Sequence, residues 1–151
     1  MGRMFSLSFD AVAVTAVQDL FQIDPTGGVI IIHSVKISQE LDVGDAQAEH
    51  LRIRLRRVTD AVTDDVNAVK LDNASAAEAA NLAINETTQL TTGAVNIDIE
   101  AWNILQPYLY LPSPEMRPVI AIGETFTVDL ADAPADSLTM SGTVVFEQIG
   151  D

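Results

Sequence analysis

A chain of 151 residues fits one domain, and one this long buries about 70% of the surface its unfolded form exposes, so it needs no disulfide or metal to fold. Its 48% hydrophobic content supports a packed core, and the absence of cysteine removes disulfides, thiolate zinc sites, iron–sulfur clusters and cysteine nucleophiles together. The net charge of −14, from 22 acidic and 8 basic residues, argues against nucleic acid and anionic membranes as partners.

The N-terminus, Met-Gly-Arg-Met-Phe-Ser, lacks the long apolar core of a secretion signal. Gly2 with Ser6 matches the loose myristoylation pattern, but Phe5 reads as the start of a strand. Phe5, Leu7 and Phe9 alternate with Met4, Ser6 and Ser8, and Val12 and Val14 then continue on the other parity. That flip predicts a bulge or kink near Asp10. Leu20 to Asp24 forms a short strand before the turn Pro25-Thr26-Gly27-Gly28. Val29 to Gln39 reads as a long central strand, its first half apolar on both faces.

Leu41 to Ala46 is a loop, and Leu51 to Val58 alternates, with Leu51, Ile53 and Leu55 inward and Arg52, Arg54 and Arg56 outward. Asp60 to Ser75 reads as a long polar loop, and alanine-rich 74–82 predicts a minor helix of two turns. Strands resume at Leu82–Leu90 and Ala94–Asn103, the second with Ile97 and Ile99 inward and Asp98 and Glu100 outward. Tyr108–Leu111, Pro118–Ile122, Phe126–Leu130 and a long final strand from Leu138 to Phe146 complete the pattern. The expectation is an all-β, jelly-roll-like β-sandwich of about 8–10 antiparallel strands, forming a single domain over 1–151.

Enzyme signatures are missing: there is no phosphate-binding loop, no HExxH and no GxSxG. Neither enzyme activity nor a cofactor or metal is expected. His33 shares the parity of Ile31, Val35 and Ile37 and reads as a buried, hydrogen-bonded histidine; His50 reads as solvated. Asp60, Asp64, Asp65 and Asp72 could gather around calcium, but they lack the EF-hand glycine and final Glu, so a solvated acidic loop is the simpler reading. Arg52, Arg54, Arg56 and Arg57 hold half of the basic residues within six positions. They either pair across strands with acids such as Asp98 or Glu100, or form a docking face on an acidic body. Pro107, Pro112, Pro114 and Pro118 stiffen one segment beside Trp102, Tyr108 and Tyr110, which are candidate interface anchors or ordinary core residues.

Asp42-Val-Gly-Asp45, Asn85-Glu-Thr-Thr88, Ala101-Trp-Asn103, Leu111-Pro-Ser-Pro-Glu115, Asp132–Thr143 and Phe146-Glu-Gln-Ile-Gly150 recur as an ordered set. Together they resemble a family of small structural proteins of tailed bacteriophages and prophages. The resemblance implies a capsid decoration, or cement, protein with a jelly-roll fold. It implies a place on the virion surface, the major capsid protein as partner, and a homo-oligomer, a trimer above all. It carries over no catalytic residue. A tail, neck or fibre component and a carbohydrate-binding jelly roll are the alternatives, with a cupin-like enzyme behind them.

Overall fold

The computed structural model describes residues 2–40 and 49–150, so the loop expected at 41–46 lies outside the described residues. Among the described residues are eleven strands: β1 (Arg3–Val14), β2 (Gln18–Pro25), β3 (Val29–Glu40), β4 (His50–Val58), β5 (Val69–Lys70), β6 (Ala80–Glu86), β7 (Val95–Asn103), β8 (Tyr108–Tyr110), β9 (Val119–Ile120), β10 (Thr125–Leu130) and β11 (Leu138–Ile149). The first sheet runs β5-β1-β11-β3-β8, with β9 also on β3; the second runs β6-β2-β10-β4-β7. β1 pairs with β11, β2 with β10, β3 with β8 and β4 with β7, all antiparallel. The chain is therefore one long hairpin, folded over and wound into two facing sheets, which is jelly-roll connectivity. β5 and β6, inserted between β4 and β7, each add a strand at one side of the sandwich.

Alternation explains the core. Leu138, Met140, Gly142, Val144 and Phe146 of β11 face inward while the residues alternating with them face out. Phe5 stacks on Phe146 at 5.5 Å and Phe9 meets Phe21 at 5.1 Å between ring centroids. These aromatic pairs join neighbouring strands of one sheet and the two sheets to each other. The bulge near Asp10 is present: the β1–β11 register shifts between Phe9 and Val12, and Ala11 takes φ 51°. Its amide donates to Ser141 Oγ at 2.9 Å, which gives the displaced backbone a partner.

Three expectations are corrected. No helix forms near 74–82; β6 begins at Ala80 and pairs with β2. Alanine's helix preference is worth less than about 1 kcal/mol per residue. Here the Gln148 side chain takes both backbone groups of Ala79, accepting from its N–H at 2.8 Å and donating to its C=O at 2.7 Å. In β7, a register shift against β4 inverts the expected faces. Ile97 still packs on the core, but Ile99 lies on the Arg54 face, about half exposed, while Asp98 takes the inward parity of Leu55. A second shift, between Val145 and Phe146, breaks the β3 parity. His33 is only half-buried and bonds Glu147 Oε2 through Nε2 at 3.0 Å, rather than facing an apolar interior.

Gly142 is a packing requirement. A Cβ there would lie 2.8 Å from Phe9 Cε1 and 2.9 Å from Ile37 Cδ1, both in the core. Gly142→Val should therefore cost about 1–3 kcal/mol, read as a lower urea midpoint at unchanged slope. An unchanged midpoint would refute this account of Gly142.

Candidate interaction surface

The arginine row divides by depth. Arg52 is exposed and grips Asp132 with two charge-assisted bonds of 2.8 and 2.9 Å. Arg54, half-buried, donates to Asp129 Oδ1 at 3.1 Å, and Arg57 pairs with Glu124 at 3.4 Å. Arg56, expected outward, has the outward parity but is only 4% exposed. What covers it is the connection from β6 to β7, residues 87–94, which links opposite edges of the second sheet. Four inter-strand steps span about 19 Å, and eight extended residues reach about 26 Å, so the connection can cross the sheet's outer face directly.

Polar contacts tie this strap down. Buried Asp19 accepts from Leu90 N–H at 2.9 Å and from Gln22 Nε2 at 2.8 Å. Gln89 Nε2 donates to Asp129 Oδ2 at 2.9 Å, and Arg56 Nη2 donates to Leu90 C=O at 3.0 Å. The Arg56 guanidinium lies between the two buried carboxylates, 3.3 Å from Asp129 Oδ1 and 3.8 Å from Asp19 Oδ1. The arginines therefore pair with Asp19, Asp129, Asp132 and Glu124 rather than with Asp98 or Glu100.

The other candidates separate similarly. Trp102 and Tyr108 are buried, and Tyr108 donates its hydroxyl to Asp98 at 3.1 Å. Burial, reinforced by the Asp98 charge, pushes the Tyr108 hydroxyl well above the usual tyrosine range. Tyr110 is half-buried, Pro112 is half-buried and Pro114 is exposed. His50 is exposed. Three of the four loop acids have separate tasks: Asp60 accepts from the amides of Thr91 and Thr92, Asp64 from Leu82, and Asp72 from Ala74. Among the described residues no group of three or more His, Asp or Glu is placed to hold a metal.

A series of exposed apolar residues lies on the other sheet. β8 and β9 both pair with β3 and, being short, leave residues 107–122 as an edge. Leu109, Leu111, Met116, Val119 and Ile122 are each more than half exposed there. Leu109 also walls a trough of about 560 Å³, across β1, β11, β3 and β8, whose lining includes Ser8, Lys36, Pro107 and Thr143. Sequence reading pointed to this proline-dense segment but chose its aromatics; the exposed residues are its aliphatic ones. The available signal was apolar residues set among prolines, with too short a run of alternation to bury them.

Neither a known family model, nor a characterised protein, nor a solved structure matches this chain.

Two predictions concern the strap. Replacing Arg56 with Met leaves two buried carboxylates facing each other and should cost about 3–5 kcal/mol in denaturant unfolding. A loss under about 1 kcal/mol would mean the cluster does not need its central cation. Burial raises Asp19 to about 6. Its folded value thus exceeds the unfolded one, so its contribution favours folding fully below about pH 4 and is lost as pH rises through about 6. Asp132 has the opposite sign: hydrogen bonding from Arg52 lowers it to about 2, so its contribution is present above about pH 4 and lost toward pH 2. Comparing Asp19→Asn with wild type by urea unfolding, the variant should gain by up to about 3 kcal/mol between pH 4 and pH 7. A pH-independent difference would refute the Asp19 assignment.

Proposed function

We propose that this protein is a virion structural component that assembles onto the outer surface of a phage head as a decoration, or cement, protein, without catalysis. The observation that carries the reading is the exposed apolar edge at residues 107–122 on a jelly-roll body. An apolar cluster rimmed by polar residues is a mark of protein association. Proline flanks lower the cost of ordering such an edge on docking. The motif set from Asp42 to Gly150 supplies the virion context, and the major capsid protein is the partner it implies.

The acidic surface supports the same reading, because a net charge of −14 keeps a protein soluble at high concentration before assembly. A tail, neck or fibre component differs only in its place on the particle. The test is to add purified protein to heads that lack it and to image the product. Regularly spaced density on the outer shell, lost with Leu111→Asp, is the expected result. Binding confined to tail or neck would move the protein to that alternative, and no binding to any part of the particle would sink the proposal.

A further inference from the structure

The apolar edge carries an unusual charge set. Lys36 pairs in register with Leu109, on the outer face of the first sheet, and is exposed. Among the described residues it has no hydrogen-bond or ion-pair partner, although the chain has 22 acids. Arg117, between Met116 and Pro118, likewise has no carboxylate partner, and its buried Nε finds no hydrogen bond. Glu115, exposed at the 3-10 turn Pro114–Met116, is an anion in the same segment with no partner among the described residues. By contrast, Arg52, Arg54, Arg56 and Arg57 all face carboxylates.

We infer that this edge is a self-complementary interface that seats a second copy of the chain about a twofold axis, with Glu115 of each copy meeting Lys36 and Arg117 of the other. The inference deepens the assembly reading above and rests on it. Twofold contacts use one patch on both subunits, so a patch must hold both halves of each interaction. This one does: it holds Lys36 of β3, and Glu115, Arg117 and five exposed aliphatic side chains of the 107–122 segment that pairs with β3. Elsewhere, two bodies of charge −14 repel, so approach is favoured where cations lack carboxylate partners, Asp10 being the one acid that lines the trough with Lys36. Met116 is 73% exposed and flexible, suited to enter the trough beside the other copy's Leu109.

Sedimentation equilibrium on the full chain tests this. Wild type should be a dimer, and Lys36→Glu and Glu115→Lys should each weaken it at least tenfold. The double variant K36E/E115K should regain most of the loss, a rescue that general surface effects would not produce. These exposed side chains leave the core intact, which far-UV circular dichroism of each variant verifies. A monomeric wild type, a trimer, insensitivity to the single changes or failure of the double variant to recover would each overturn the inference. A dimer that never binds heads would sink the decoration reading alone; a monomer that binds heads would sink only this one.

Discussion

Arg56 is the point on which the winding depends. A jelly roll with an extra strand on each sheet must carry the chain from β6 to β7 across an outer face. That crossing removes Asp19 and Asp129 from water, and each buried carboxylate costs several kcal/mol without a counter-charge. The guanidinium between them offsets the repulsion and also donates to the strap itself at Leu90. One cation thus allows a polar sheet face to be covered, and Arg54 and Gln89 complete the set around Asp129. The balance is incomplete: Asp19 Oδ1 has no hydrogen bond, in keeping with its raised affinity for protons.

The sandwich also shows how its edges are guarded. β7 is the longest open edge, nine residues pairing only with β4, and it is interrupted by a register shift. It turns Asp98 inward, where a second strand added to the edge would confront a charge. β6 is covered instead, its Leu82 amide and carbonyl taken by Asp64 and the backbone of Asp65. β8 and β9 are short and bounded by prolines. The latter edge blocks strand addition yet exposes aliphatic side chains, which suits docking by side chains rather than by a shared ladder.

Much of this was legible beforehand where a local pattern has a local cause. The period-two runs of β1, β4, β10 and β11 name their own inward residues, and the parity flip after Phe9 locates a bulge. The readings that failed depended on partners far along the chain. Ala79 is fixed ahead of β6 by Gln148, and the faces of β7 follow a slip against β4. The arginine row and its pairing with acids were legible, but the partners were not, since nothing near Arg56 in sequence announces Asp19, Asp129 or the strap that buries them.

The sequence by itself determined an all-β sandwich, the core alternation, and a proline-dense segment set apart from the rest. Alternation and proline geometry act within a few residues, so they can be read in order along the chain. Only the tertiary structure decided which arginines are free, which apolar residues remain in water and which cations lack a carboxylate. Burial and charge pairing are properties of what lies opposite, and in this winding what lies opposite comes from the far arm of the hairpin.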